Sequence, residues 1–233
     1  MYHAIPGRHA RMAAFYRQFL GRGELAFDVG AHVGSRVRAW RRIGARVVAV
    51  EPQPDCLRVL RLLYGRNPAV RIVPTAVGAR AGRARLAVSS ATPTVSTMAP
   101  AWIDEVSRDH RFARVRWDRS IEVPVTTLDE LIATHGEPAF VKIDVEGFEV
   151  GVLSGLSRPV RALSFEYLPA AHEDALAALD LVAALGNYRY NYSPIETMRW
   201  AGTDWLDAAG LIRLLDRYRP WGRSGDVYAR LGT

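Results

Sequence analysis

The sequence predicts an α/β fold, a doubly wound and mostly parallel sheet with an antiparallel edge. Three observations carry this. Short apolar runs alternate with amphipathic stretches of helical length, glycines stand where the helices should stop, and acidic residues stand at the ends of several apolar runs. With 233 residues, 49% apolar and 24% charged, the chain can bury a sizeable core as one domain. Within residues 1–233 we expect an N-terminal helical segment (1–24), an inserted strand and lid (78–126) and a C-terminal segment on the substrate side (187–233).

Leu25–Val29 and Val47–Val50 are apolar runs that read as buried strands. Between them Val37, Trp40 and Ile43 recur at helical spacing before Gly44. Leu57, Leu60, Leu63 and Tyr64 predict a second helix, Pro54–Tyr64, ending at Gly65, and a third strand is expected over Arg71–Val77. The alternation then breaks. Arg83–Ser89 reads as an added strand, followed by a Ser, Thr and Pro-rich stretch and a helix over Ala101–Phe112. It resumes with a helix (Thr127–Thr134), a strand (Ala139–Ile143), a helix (Glu146–Leu156) and a strand (Ala162–Phe165). A long helix, Ala170–Leu185, follows with Leu176, Leu179, Val182 and Leu185 on its buried stripe. Closing strands are expected at Tyr188–Tyr192 and Asp226–Leu231, with a helix over Thr203–Tyr218 between them.

Several classes are excluded or disfavoured. The single cysteine, Cys56, forms no intrachain disulfide and no cysteine zinc cluster, and reads as a small core residue in a reducing compartment. No uncharged apolar run approaches the roughly 18 residues that span a bilayer, and Arg8, Arg11 and Arg17 interrupt any leader, so a cytoplasmic protein is expected. The net charge of +7 is unevenly placed: residues 36–85 carry twelve arginines against Glu51 and Asp55, and residues 120–185 carry eleven acids against Lys142, Arg158 and Arg161. Right-handed crossovers place Arg36, Arg38, Arg41, Arg42, Arg58 and Arg61 on one face of the sheet, away from the strand ends, as a solvated surface.

The turn after the first strand reads Asp28-Val29-Gly30-Ala31-His32-Val33-Gly34, where open parallel sheets bind nucleotides. Its D-x-G-x-x-x-G spacing is not the dinucleotide fingerprint, and Asp28 would repel a pyrophosphate. A carboxylate there suits a cationic ligand, and S-adenosylmethionine carries an ammonium and a sulfonium. Glu51, at the end of the second strand, is placed to accept hydrogen bonds from ribose hydroxyls. A tight turn with a solvated Asp28 and a capping Glu51 is the plain structural alternative.

With those residues in view the chain resembles the FkbM family of S-adenosylmethionine-dependent methyltransferases over about residues 25–168. The likeness rests on FDVGAHVGS, AVEPQPDCLRVL, PTAVGARAGRARL, VPVTTLDEL and above all VKIDVEGFEVGVLSGL, with Lys142, Asp144, Glu146, Gly147 and Glu149 at the family's spacing. His32 stands where the family pattern usually has Asn. The resemblance implies a Rossmann-like fold of the class I methyltransferase type and an O-methyltransferase acting on a hydroxyl of a sugar, glycoside, glycolipid or polyketide. The expected cofactor-binding set is Asp28, Gly30, Ala31, His32, Gly34, Glu51, Pro52, Ala76, Val77 and Asp144.

Methyl transfer to oxygen needs alignment in a dry site and gains from a base. Asp144 at the fourth strand's end, Glu146 one turn into the next helix, and Glu166 at the fifth strand's end converge on one crevice. They could bind substrate, act as base, or hold a hard divalent cation such as Mg, with Asp144 and Glu166 the metal candidates. Glu146 could equally serve only to stabilise the start of its helix. Lys142, the chain's single lysine, is a further catalytic candidate, and His172 and His110 are base candidates that histidines on a surface or at a cap would equally explain. Ser96 in the lid, and Tyr192 and Trp200 among the aromatics crowded into the last 46 residues, are the expected substrate contacts. The chain lacks a P-loop, a nucleophile elbow and metal-spaced Cys or His pairs, and the clustered acids would repel a phosphate backbone, so nucleic acid is not the expected partner. A small-molecule acceptor is expected, and a homodimer is compatible with the sequence. A noncatalytic binding module on the same scaffold and a nicotinamide-dependent oxidoreductase are the alternatives.

Overall fold

The computed structural model describes residues 7–107 and 112–232. In chain order the elements are α1 (Arg8–Tyr16), β1 (Leu25–Val29), α2 (Ser35–Ile43), β2 (Arg46–Val50), α3 (Pro54–Tyr64), β3 (Val70–Val73), β4 (Ala76–Val77), β5 (Gly82–Val88) and α4 (Pro100–Val106). Then come β6 (Arg119–Thr126), α5 (Leu128–His135), β7 (Phe140–Ile143), α6 (Glu149–Leu153), β8 (Ala162–Tyr167), α7 (His172–Leu185), β9 (Tyr188–Pro194), α8 (Ala208–Tyr218) and β10 (Gly225–Leu231).

Seven strands form the main sheet in the order β3-β2-β1-β7-β8-β10-β9. The first five run parallel, and β10 is antiparallel to both β8 and β9. The apolar runs became the strands buried on both faces, as parallel sheets covered by crossover helices require. On one face α1, α2 and α3 bury Met12, Tyr16, Val37, Trp40 and Leu60. On the other, α5, α6, α7 and α8 bury Leu128, Leu131, Val152, Leu179 and Leu215. The chain winds from β1 outward through β2 and β3, and from β7 outward through β8. The topological switch therefore lies between β1 and β7, where their carboxyl ends are tied by Asp144 N donating to Val29 O at 3.0 Å. Crevices at such a switch are where doubly wound sheets bind ligands.

The expected third strand is divided. β3 joins the main sheet and Pro74 separates it from β4, which pairs with β6. The expected insertion is a three-stranded sheet, β4-β6-β5. Strand β6 was not anticipated, because Pro124 within it reads as a breaker; β6 pairs antiparallel with β5 while its other neighbour is only the two-residue β4. The helix expected over 146–156 contracts to α6, since Glu146 (φ 54°) and Gly147 (φ 86°) both take left-handed backbone. Along α7 the buried stripe is Ala175, Ala178, Leu179 and Val182, with Leu176 and Leu185 half-buried beside it. The C-terminal helix begins only at Ala208, where the Asp207 carboxylate caps it by accepting from Gly210 N at 2.7 Å.

Candidate active site

The turn after β1 is shaped by what its glycines allow. Gly30 has φ 82°, and a Cβ there would lie 1.8 Å from Asp144 O, so only glycine lets the two strand ends meet. The amides of Gly30 and Ala31 both donate to Val50 O at 3.0 Å, which ties the turn to β2 as well. At Gly34 the ring of Tyr64 occupies the space a Cβ would take, and the Tyr64 hydroxyl donates to Gly34 O at 3.0 Å.

Two buried acids frame this turn. Glu51 accepts from His32 N through Oε2 and from Gln53 N through Oε1, each at 2.8 Å. Burial pushes its carboxyl up to about 7, against the pull of those two amides. Asp28 is 1% exposed, and neither carboxylate oxygen has a hydrogen-bond partner in the protein. Its burial raises the carboxyl to about 6, opposed by the nearby Arg36 guanidinium. An unpartnered buried carboxylate carries a large desolvation penalty and is a natural counterpart for a cation.

A crevice opens beyond the strand ends in two connected compartments. The first, about 540 Å³, is lined mainly by apolar groups from Val29, Val50, Pro52, Ala76, Val77, Leu86 and Met98, with Glu51 and Gln53 at its wall. Its cover is the segment 93–98: Gln53 Nε2 donates to Pro93 O at 3.0 Å, and Ser96 Oγ donates to Gln53 Oε1 at 3.2 Å. The second compartment, about 1070 Å³, is charged and includes Arg8, Arg36, Glu166, Glu196 and Asp226. Gly30, His32, Thr94, Asp144 and Glu146 line both, so the compartments meet there.

Behind the junction runs a buried chain of alternating charges. Arg36 pairs with Asp144 at 2.9 Å; Lys142, fully buried, lies 3.5 Å from Asp144 and 2.9 Å from Asp226, and donates to Ile143 O at 2.9 Å. Tyr228 donates to Asp226 at 3.5 Å and meets the Tyr16 hydroxyl at 3.3 Å. Burial pushes Asp144 upward, but Lys142 and Arg36 together outweigh it and hold the carboxyl below its ordinary value. Lys142 also pulls Glu146 and Glu166 downward, but no cation among the described residues forms an ion pair with either, and there it does not outweigh burial. Donor oxygens of Asp144, Glu146 and Glu166 lie within 4.8 Å of one another, and Glu166 Oε2 has no hydrogen-bond partner. Burial and the adjacent carboxylates raise both glutamates well above the ordinary range. Such a group can share protons or offer hard oxygen ligands. Trp102 of α4 closes over this turn, its ring 2.1 Å from where a Cβ on Gly147 would be.

The model of the methyltransferase FkbM domain matches residues 28–194, well over half of the chain. The chain belongs to the FkbM methyltransferase family. Its fold is that of S-adenosylmethionine-dependent methyltransferases of class I. It is similar to an O-methyltransferase from Bacillus cereus solved with S-adenosylhomocysteine (11% identity, 98% of this chain and 82% of that one, TM-score 0.51). It is likewise similar to a precorrin-6y C5,15-methyltransferase from Geobacter metallireducens GS-15 (10% identity, 96% and 87%, TM-score 0.50). No curated protein matches the chain.

In this FkbM-family protein the crevice brings together Gly30, Ala31, His32, Glu51, Pro52, Ala76, Val77, Ser96, Asp144, Glu146 and Glu166. Asp28, Gly34 and Lys142 stand behind its walls. Four expectations are corrected. Glu146 sits in a left-handed turn before α6, and not one turn inside a helix. Tyr192 is fully buried, its hydroxyl donating to Arg223 O at 2.9 Å and its ring packed on Tyr167 and Tyr218. Trp200 packs on Phe15, Trp205 and Tyr228, in the cluster on the α1 and α2 face. His172 is buried on α7 between Tyr167 (3.3 Å) and Asp216 (3.4 Å), outside the crevice. Cys56 is buried in α3 and burial pushes its thiol up to about 12, which fits the core reading. His110 lies outside the described residues. Sequence reasoning missed Arg36 and Asp226. Arg36 was read with the solvated arginines of α2, of which Arg38 and Arg42 are indeed exposed. Asp226 is placed by antiparallel register opposite Glu166, a pairing that no local pattern announces. The described residues contain no helix long and apolar enough to cross a membrane.

Proposed function

We propose that this FkbM-family methyltransferase transfers the methyl group of S-adenosylmethionine to a hydroxyl of a small molecule of the sugar, glycoside, glycolipid or polyketide type. The observation that carries the oxygen acceptor is the Glu146 and Glu166 pair, two carboxyls with raised proton affinity at the charged end of the crevice.

The residues fit the cofactor. Val50, Ala76, Val77, Leu86 and Met98 form an apolar slot for the adenine, Glu51 keeps lone pairs free for the ribose hydroxyls, and the orphaned Asp28 carboxylate supplies negative potential to the cationic end. S-adenosylmethionine, when bound, supplies an electrophilic methyl on a sulfonium. The protein aligns the acceptor and excludes water, with the 93–98 segment as cover. Glu146 and Glu166 share a proton because neighbouring carboxyls resist double ionisation. In that pair Glu166 Oε2, which has no partner, accepts the acceptor's hydroxyl proton as the oxygen is methylated, while Glu146 keeps the shared proton. The same acids disfavour polyanionic acceptors such as nucleic acid.

The mutual reach of Asp144, Glu146 and Glu166 favours one second reading, a hard divalent cation that orients the acceptor oxygen. Incubation with methyl-labelled S-adenosylmethionine and a panel of sugars, glycosides and polyketide alcohols, with product analysis by mass spectrometry, tests the proposal. A methyl ether is expected, insensitive to chelator. Activity that chelation abolishes and Mg restores would establish the metal reading; transfer only to nitrogen or carbon, or no transfer at all, would overturn the hydroxyl acceptor.

A further inference from the structure

Among the described residues four non-glycines adopt left-handed backbone: His32 (φ 49°), Glu146 (54°), Ile195 (54°) and Met198 (53°). Such backbone in a non-glycine is retained where something around it compensates. His32 and Glu146 line the junction of the two compartments. Met198 is 9% exposed and packs into the core beside Trp200, so burial accounts for it. Ile195 has no such account. It is β-branched, the residue type for which left-handed backbone is a genuine outlier, and it is 54% exposed.

The turn itself does not ask for isoleucine. Ile195 N donates to Ser224 O at 2.7 Å, and Thr197 N donates to Pro194 O at 3.3 Å; glycine or asparagine would make the same backbone bonds with less strain. What the turn does is hold Ile195 at the charged compartment, next to Glu196, which pairs with Arg8 and approaches Arg36 at 3.8 Å. Apart from Ala31 and glycines, every other side chain lining that compartment is polar or charged. The turn also begins one residue beyond the segment the family model matches.

We propose that the Ile195–Glu196 turn is the acceptor-reading element of the crevice, and that the acceptor is an amphipathic glycoside. Its apolar aglycone lies against Ile195 while its hydroxylated ring enters among Glu196, Glu166 and Glu146. The proposal rests on the hydroxyl-acceptor reading above, narrows it to its glycoside arm and adds the element that selects the acceptor.

The test is calorimetric titration of paired n-hexyl and methyl glycosides into protein saturated with S-adenosylhomocysteine, for wild type, Ile195→Gly and Ile195→Asn. In at least one pair the hexyl glycoside should bind about tenfold tighter than its methyl partner, as burial of several methylenes implies. Both variants should narrow that ratio to below about threefold, while S-adenosylhomocysteine affinity is unchanged and the melting temperature is equal or higher as strain is relieved. Equal binding within every pair, a preference that survives in both variants, or no glycoside binding while S-adenosylhomocysteine binds would each overturn it. Failure of the hydroxyl-acceptor reading shows elsewhere, as absence of labelled methyl ether from the whole acceptor panel.

Discussion

The two compartments of the crevice are built in different ways. The apolar one is assembled from the ends of neighbouring strands and the turns that follow them, and its key contacts, such as Gly30 N to Val50 O, are set by register. The charged one gathers side chains from α1, α2, the β7–α6 turn, β8, the turn after β9, and β10. Backbone geometry therefore governs the first, and balanced charge governs the second. Substitutions separate them.

The largest effect is expected at Gly30. Its Cβ would meet backbone and not a movable side chain, so Gly30→Ala should lower stability by more than about 4 kcal/mol or prevent folding, read by thermal melting. Behind the charged compartment Lys142→Met leaves Asp226 without its ion-pair partner and Asp144 with Arg36 alone, and should lower stability by about 3 kcal/mol or more. Adding Asp226→Asn should recover part of that loss, and a double-mutant cycle showing simple additivity would mean the pair is not coupled.

The pH dependence of the cofactor-free protein probes the two buried acids that frame the turn after β1. Asp28 and Glu51 hold protons more tightly folded than unfolded, so they favour the folded state at low pH and weaken it as pH rises from their unfolded values to about 6 and about 7. Moving Asp28 from 3.8 to about 6 makes its ionised form cost the folded state about 3 kcal/mol. Melting temperature should fall from about pH 5 to about pH 8, and less steeply with saturating S-adenosylmethionine, whose cationic end favours ionised Asp28. Smaller still, Glu51→Gln should weaken S-adenosylhomocysteine binding by roughly tenfold, a charge-assisted hydrogen bond's worth, in calorimetry. Tyr192→Phe, which removes one neutral hydrogen bond in the core, should lower stability by about 1 kcal/mol and leave cofactor affinity alone.

The same division decides what could be read from the sequence. Strand-end acids and glycine turns are local patterns, so β1, α2, β2 and Glu51 were legible, as was the convergence of Asp144, Glu146 and Glu166. Strand β6 was hidden by Pro124. The aromatic run Tyr188, Tyr190 and Tyr192 invited a substrate role, but three tyrosines at alternate positions share one face of β9, and α8 covers it. Arg36 shares its helix with exposed arginines, and only the three-dimensional approach of β7 turns it inward to Asp144. Asp226 waits on an antiparallel register, and Ile195 on a backbone angle; neither leaves a periodic signal.

The most direct test of the division is single-turnover methyl transfer by Glu166→Gln, measured beside S-adenosylhomocysteine affinity in the same preparation. Glu166 lines the charged compartment and not the apolar one. Transfer should fall about 100-fold, the lower range for losing a general base, while affinity for S-adenosylhomocysteine stays within about twofold of wild type. Unchanged transfer, or a parallel loss of cofactor affinity, would contradict the assignment of cofactor and acceptor to separate ends of the crevice.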